Sequence, residues 1–288
     1  MIAGAPGDLA ELDNWVGRTE DSRDQLVSWQ ARALAATLES PNPPTGDGDL
    51  LPPLWHWIYF KPEVVRSHLG EDGHPSKGGF LPPVPLPRRM WAGGRLHWNL
   101  DNPLRLGQTA TRHSMVAAVT PKTGRSGSMV FVTVVHEIGN AQGYCLREEQ
   151  DIVYRAPTPS GSAATSSADA PDSPAWLRYC QPDEAMLFRY SALTFNSHRI
   201  HYDQPYVTGV EGYPGLVVHG PLMATLLADL LRREQPELRL ASFEFRGQAP
   251  AFCGQMLGIA GKPEVGRVDL WAQDSQGREL MRARAVLA

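Results

Sequence analysis

The sequence predicts an α+β protein built from two units of similar length, and three observations carry that expectation. The stretch Ala156–Pro174, APTPSGSAATSSADAPDSP, is rich in Ser, Ala, Pro and Gly and holds no large apolar side chain, so it cannot build a core and reads as a flexible linker. Each half offers one helix with an apolar face. Each half also carries several β-prone segments separated by turn residues, the pattern of antiparallel strands. The two units are expected at 14–155 and 178–288, with 156–177 between them.

In the first half the helix is expected over Ser22–Leu38. Asp21 or Ser22 can cap it, Leu26, Trp29, Ala33 and Leu34 lie near one face, and Pro41, Pro43 and Pro44 stop it. A Pro- and Gly-rich region runs on to Leu86. Strands are expected at Arg95–Leu100, Gln108–Thr120, Ser128–Ile138 and Ala141–Ile152. Their apolar stretches are β-branched, and turns fall at Gly124 to Gly127 and at Gly139-Asn140. Trp55, Trp57, Trp91 and Trp98 fill this half's core or line a tunnel.

The second half is expected to open with a strand at Met186–Tyr190. Its helix is Gly220–Arg233, where Leu222, Met223, Leu226, Leu227, Leu230 and Leu231 form a wide apolar stripe and Pro236 follows the end. Strands follow at Glu237–Phe245, Ala251–Ala260, Glu264–Asp274 and Glu279–Val286, with Gly277 in the last hairpin turn.

Composition narrows the function classes. With 42% hydrophobic and 20% charged residues, the 288-residue chain has the make-up of a globular protein with a sizeable core. A net charge of −4 gives no general attraction to nucleic acid. The basic residues are mostly Arg, a residue suited to phosphate and carboxylate. Cys145, Cys180 and Cys253 are odd in number and widely spaced, which excludes a disulfide framework and a zinc motif and fits a reducing compartment. No apolar run reaches the ~18 residues of a membrane span, and the start MIAGAPGDLAELDNW lacks signal-peptide features. A cytoplasmic protein with no membrane partner is expected.

The richest stretch for chemistry is Leu187–Thr225. A polar turn holding Asn196, His198 and His201 leads through a Gly/Pro-rich loop, where Tyr213-Pro214-Gly215 shapes the turn, to His219-Gly220 at a helix start. His201 is the first candidate for proton transfer, because an imidazole titrates near neutral pH. The bland alternative is a loop histidine bonded to a backbone carbonyl. Gly220 stands at a helix N-terminus, where a free N–H and the helix dipole can hold a developing oxyanion, while the alternative is a glycine required by close packing. Pro221 suits the first helical turn. His198 and His201 are three apart, a spacing that can hold a metal on a helix, but no carboxylate or Cys completes a site. His219 reads as structural.

Two motif sets are the basis of a resemblance. One is Asn196-Ser197-His198-Arg199-Ile200-His201 followed by Val218-His219-Gly220-Pro221. The other is PPLWHWIYF and GGFLPPVPLPRRMWAGGRL within Pro52–Leu96. Together they resemble the MaoC-like hydratase/dehydratase family of hot-dog folds. Within it they resemble the subfamily holding mesaconyl-C4-CoA (3-methylfumaryl-CoA) and itaconyl-CoA hydratases and mitochondrial-type 3-hydroxyacyl-thioester dehydratase. The resemblance implies a double hot-dog: two helices, each wrapped by antiparallel sheet, in one chain. It implies a hydro-lyase acting at the C2=C3 bond of an acyl-CoA thioester, with CoA as part of the substrate, no separate cofactor and no metal. A homodimer of such chains is compatible with it.

His201 falls on the family's catalytic histidine. Asn196 falls where the family has an aspartate, and an amide cannot act as a base. Either His201 works with Asn196 only positioning, or a nearby carboxylate, Asp203 or Glu211, supplies what is missing. An N-cap or an Arg partner is an equally good role for Asp203. A branched C5 dicarboxylyl thioester would need a cation for its free carboxylate. Arg88, Arg89 and Arg199 are the candidates, and Arg246 is a candidate for the CoA phosphates. The alternatives in view are fatty 3-hydroxyacyl-thioester dehydration, a hot-dog thioesterase and a non-catalytic acyl-CoA binder.

Overall fold

The computed structural model describes residues 9–124, 127–156, 168–171, 173–237 and 239–288. Most of the expected linker, 157–167 and 172, lies outside these residues. The first half contributes β1 (Thr19–Gln25), α1 (Ser28–Leu38), β2 (Arg88–Trp98), β3 (Thr109–Gly124), β4 (Gly127–Asn140) and β5 (Gly143–Arg155). The second contributes β6 (Trp176–Cys180), α2 (Glu184–Thr194), α3 (Gln204–Gly209), α4 (Gly220–Glu234), β7 (Leu240–Gly247), β8 (Leu257–Glu264), β9 (Arg267–Gln273) and β10 (Glu279–Leu287).

All ten strands form one antiparallel sheet in the order β1-β3-β4-β5-β2-β7-β10-β9-β8-β6. Read outward from the centre, the first half runs 2-5-4-3-1 and the second 7-10-9-8-6, so each strand of the second half occupies the place of its counterpart in the first. The halves meet where β2 pairs with β7, Gly93 opposite Arg246 and Leu96 opposite Phe243. The approach there is close: a Cβ on Gly93 would lie 2.4 Å from the Phe245 carbonyl oxygen, so a side chain is excluded. A bulge between Trp91 and Gly93 bends β2 at the same point.

The core gathers on α4. Every residue from Leu222 to Leu231 is buried, because the helix is surrounded by β8, β9, β10 and β2 rather than lying on one of them. Its polar members are satisfied locally: the Thr225 hydroxyl donates to the Pro221 carbonyl, and Asp229 is held by Arg232 and Arg233. Among the described residues no helix is long and apolar enough to cross a membrane.

Several elements depart from the sequence expectation. The helix expected over Ser22–Leu38 begins only at Ser28. Thr19–Gln25 instead forms an edge strand along β3, its polar residues facing solvent by turns, and Asp21 and Ser22 cap nothing. Pairing to a long neighbouring strand outweighs the local helical spacing. Met186–Tyr190 is not a strand but the middle of α2. Asp183 caps that helix, accepting a hydrogen bond from the Met186 N–H at 2.8 Å, and Leu187, Tyr190 and Leu193 fall on its buried side. The strand expected at Ala251–Ala260 begins at Leu257, with only a bridge from Phe252 to Val217 before it. The short strand β6 and the helix α3 were not anticipated.

Candidate active site

The site grows out of the end of α2. Phe195 adopts a left-handed conformation, φ 53°, and turns the chain out of the helix. The Asn196 Oδ1 accepts a hydrogen bond from the His198 backbone N–H at 3.0 Å, so its side chain closes an Asx turn. A single 3-10 turn, Arg199–His201, follows. The segment ahead of α4 clamps it: the Val217 N–H donates to the Ile200 carbonyl at 2.9 Å, and the His201 Nδ1–H donates to the Val217 carbonyl at 2.7 Å. A carbonyl only accepts, so His201 carries its proton on Nδ1 and presents Nε2 as a lone pair. The carbonyl contact named above as the bland alternative for His201 is therefore present, and it is what fixes the tautomer.

Four imidazoles lie in a chain. His219, the residue before α4, stacks on His201 with ring centroids 3.6 Å apart, and its Nε2 meets the Ser191 hydroxyl at 2.8 Å. His198 stands edge-on to His201 at 5.5 Å, and His74 of the first half lies 3.9 Å from His198. Burial, with the Val217 carbonyl opposing it and the field of His74 assisting, pushes the His201 imidazole down to about 4. Burial, together with neighbouring histidines, holds His198 and His219 below the ordinary range as well. Burial thus favours the neutral imidazole at each of these three.

The first half brings a loop onto this motif. The Arg199 N–H donates to the Asp72 carbonyl at 2.8 Å, the Ser197 hydroxyl donates to the Gly73 carbonyl at 2.5 Å, and the Arg199 Nη1 donates to the Glu71 carbonyl at 3.0 Å. Gly73 has φ +83°, and a Cβ there would sit 1.9 Å from the Ser197 carbonyl oxygen, so only glycine permits the contact. The His74 Nδ1–H donates to the Asp72 carboxylate at 3.0 Å. Burial works to raise the Asp72 carboxyl, but the hydrogen bonds and field of His74, with that of His198, hold it well below the usual carboxylate range.

Asp72 and His198 face a small cavity with Arg88, Arg89, Ile200, Glu211 and Tyr213. It leaves about 20 Å³ open to water centres, room for roughly one water. As it stands it is too small for an acyl group, and neither His201 nor Gly220 is in its lining.

The structure sorts the expected residues. Asp203 does not replace the missing aspartate: it caps α3, accepting from the Tyr206 N–H at 3.0 Å, and pairs with Arg199 at 2.7 Å. The same pair, with the Tyr206 ring 4.1 Å from the guanidinium, removes Arg199 from the cations open to a substrate carboxylate. Glu211 is also engaged, with Arg88 at 3.2 Å and the Tyr206 hydroxyl at 3.3 Å. Arg89 is half-buried in the cavity wall and forms no ion pair among the described residues. Tyr213 lines the cavity beside Arg88. Gly215 meets no steric or dihedral demand, since the loop's left-handed residue is Gly212, φ +72°. Gly220 begins α4, where its N–H has no intrahelical acceptor. A Cβ on it would meet only the Trp91 carbonyl at 3.8 Å, so close packing does not explain the glycine. Arg246 is exposed on β7, opposite Arg282 of β10, away from this cavity. A group able to hold a metal by spacing is not the His198–His201 pair: Asp72, His74 and His198 have ligand atoms within 4.8 Å of one another, whereas the His201 Nδ1 is committed to Val217.

Two features escaped the sequence reading. One is Asp72–His74, whose Asp-x-His spacing gave no hint of the distant motif it meets. The other is a buried carboxylate, Glu148, held by His56 at 2.9 Å and by the Trp57 indole N–H at 2.8 Å. Burial raises Glu148, but His56 outweighs it and the carboxyl falls to about 2. Through Trp57 this group anchors an aromatic wall, with Trp91 4.9 Å and Phe245 5.8 Å from the Trp57 ring, at the junction of the halves.

The duplicated helix-and-sheet unit, with a histidine motif at the start of its central helix, defines a hot-dog protein of the MaoC-like type. A MaoC-like dehydratase matches with a TM-score of 0.71 over 96% of this chain and 99% of its own, at 13% identity. A Mycobacterium tuberculosis protein described as having a double hotdog fold matches with a TM-score of 0.52 over 95% and 96% of the two chains, at 15% identity. Residues 54–253 match the family described as hydroxyacyl-thioester dehydratase type 2, and the chain belongs to that family. It is 48% identical over 274 residues to mesaconyl-C(4)-CoA hydratase of Chloroflexus aurantiacus, covering 95% of this chain and 96% of that protein. It is 30% identical over 234 residues to mitochondrial hydroxyacyl-thioester dehydratase type 2 of Schizosaccharomyces pombe, covering 73% and 77%.

Proposed function

We propose that the protein is a hydro-lyase that adds water to, or removes it from, the C2=C3 bond of an acyl-CoA thioester, and that its substrate is a branched C5 dicarboxylyl-CoA such as mesaconyl-C4-CoA or itaconyl-CoA. The carrying observation is His201: buried, neutral, its Nδ1–H fixed on the Val217 carbonyl and its Nε2 open as a base at the start of α4. In hydration the His201 Nε2 takes a proton from water as its oxygen attacks C3. The Gly220 N–H, at the positive end of α4, holds the oxygen on which the enolate charge collects. Asn196 acts indirectly, holding the turn that carries His198.

The choice of a dicarboxylyl substrate rests on similarity to the Chloroflexus hydratase and on Arg89. A second carboxylate taken out of water must be paired, and Arg89 is the cavity cation without an ion-pair partner among the described residues. The exposed Arg246 is the candidate for the CoA phosphates. A cytoplasmic location fits the three free cysteines.

The test is incubation with mesaconyl-C4-, itaconyl-, crotonyl- and longer enoyl-CoAs, followed by mass spectrometry. A product heavier by one water, without free CoA, supports the reading. Release of free CoA marks a thioesterase, and binding without turnover marks an acyl-CoA-binding protein.

A further inference from the structure

We propose that the Asp72 carboxylate, carried in by a loop of the first half, stands in for the aspartate that the second-half motif lacks at Asn196 and orients the water that adds to the thioester. His74 is its positioning residue. The inference rests on the hydratase reading and deepens it.

Four observations carry it. Asp72 and His198 face the same cavity, which has room for about one water. Each oxygen of the Asp72 carboxylate already accepts one hydrogen bond from His74: Oδ1 from the backbone N–H at 2.9 Å and Oδ2 from Nδ1–H at 3.0 Å. Each keeps a lone pair for a further donor. The loop is set against the motif by three backbone-directed bonds and by the Gly73–Ser197 contact, so Asp72 is placed by the motif itself. The other two carboxylates considered, Asp203 and Glu211, are occupied by Arg199 and Arg88.

The charge environment fits this role. Asp72 is the carboxylate whose field acts on His74 and His198, and Arg89 is the guanidinium whose field opposes it there. When His201 takes a proton, the charge forms at a row of imidazoles whose nearer members, His198 and His74, lie in the field of the ionised Asp72 carboxylate. The step balances without any change at Asp72. One water hydrogen passes to the His201 Nε2 as the oxygen bonds to C3 and the C2=C3 electron pair moves onto the thioester oxygen. As the carbonyl re-forms, C2 takes that proton back from His201. The second water hydrogen stays on the new hydroxyl, bonded to Asp72.

The same three groups, Asp72, His74 and His198, are also spaced to hold a divalent cation. Arg89 in the same cavity wall opposes that occupant.

The experiment uses the full chain and compares wild type, Asp72→Asn, His74→Gln and the double variant Asp72→Asn/Asn196→Asp. Asp72→Asn is isosteric and leaves the Asp72 carbonyl bonded to Arg199. The expected result is a kcat about 100-fold below wild type for Asp72→Asn with KM nearly unchanged. A smaller loss is expected for His74→Gln, and recovery of at least about tenfold in the double variant. Asp72→Asn turning over at the wild-type rate, a loss confined to KM, or no recovery in the double variant overturns the proposal. So does a stoichiometric divalent metal in the purified protein whose removal by chelation abolishes activity. Wild type inert towards every enoyl-CoA defeats the hydratase reading and this proposal with it, whereas active wild type with equally active Asp72→Asn defeats the proposal alone.

Discussion

Replacing His201 by Asn tests the chemistry with little structural disturbance. The amide nitrogen of Asn occupies the place of Nδ1, so the bond to the Val217 carbonyl, 2.7 Å in the native protein, can persist while Nε2 is deleted. Loss of a general acid–base group costs about 10²- to 10⁴-fold in rate, or roughly 3–5 kcal/mol of barrier. That loss should appear in kcat, with KM within about threefold of wild type, because the substrate is held by other groups. The pH profile adds a second reading. An ordinary histidine base would lose activity as pH falls through about 6.5. His201 is held neutral down to about 4, so the acid limb of kcat/KM in the wild-type enzyme belongs near 4. Stopped-flow pH jumps with an enoyl-CoA substrate, completed before acid unfolding, measure it. A limb centred near the ordinary histidine value, or a His201→Asn enzyme with near-native kcat, would refute the assignment.

Three further outcomes follow from the same structure. His201 and His136 both sit near 4 through burial, and in the unfolded chain both return to about 6.5. The unfolded state therefore binds more protons between these values, and stability present above pH 6.5 is lost as pH falls towards 4. His201 alone accounts for roughly 3 kcal/mol of that loss, and urea midpoints at pH 7, 5.5 and 4.5 that do not move would contradict it. Arg89→Gln should lower kcat/KM for mesaconyl-C4- or itaconyl-CoA by about 10- to 100-fold, the worth of a charge-assisted pair, and leave crotonyl-CoA almost unchanged. Equal losses on both substrates would remove Arg89 from carboxylate binding. Asp229 is buried on α4, with Arg233 at 2.6 Å and Arg232 at 3.4 Å, and Arg233 continues to the Leu38 and Glu39 carbonyls at the end of α1. Asp229→Asn should cost about 2–4 kcal/mol of stability, read from denaturant unfolding, and a loss below measurement would show the network to be dispensable.

What the sequence made legible was local. The α4 helix is plain from its leucine spacing and the Pro that follows it, and the strands β3, β4, β9 and β10 come close to their expected limits because their apolar patterns and turn glycines are self-contained. The motif Asn196–His201 and the helix start at Gly220 are contiguous, so the turn that holds His201 could be named. Errors arose where the deciding partner is distant. Thr19–Gln25 has helix-compatible residues, and only its pairing to β3 makes it a strand. The α2 helix carries a readable cap in Asp183, but a dense run of aromatic and β-compatible residues suggested a strand instead. Asp203 and Glu211 were reasonable carboxylates by proximity in sequence, yet each is taken by an arginine that only folding brings near.

The sheet order explains why the missing carboxylate should come from the other half. Both halves use the same five-strand order and meet through β2 and β7, so the first residues of β2 lie beside the start of α4, as the Trp91 carbonyl 3.8 Å from the Gly220 Cβ position attests. In the second half, the chain between helix and central strand is short: α4 ends at Glu234 and β7 begins at Leu240. In the first half, α1 ends at Leu38 and β2 begins only at Arg88, leaving a long connection without regular strands. Long loops of this kind are uncommon unless they carry function. This one supplies His56 and Trp57 to the buried Glu148, and then Asp72 and His74 to the histidine motif. The duplication thus leaves one copy free to keep the histidine turn and the helix start, while the other spends its helix-to-strand connection on the wall that faces them. With Asn196 in place of the family's aspartate, Asp72 of the Gly70–His74 turn is the carboxylate beside His198 that no arginine pairs among the described residues, since Glu211 in the same wall is held by Arg88.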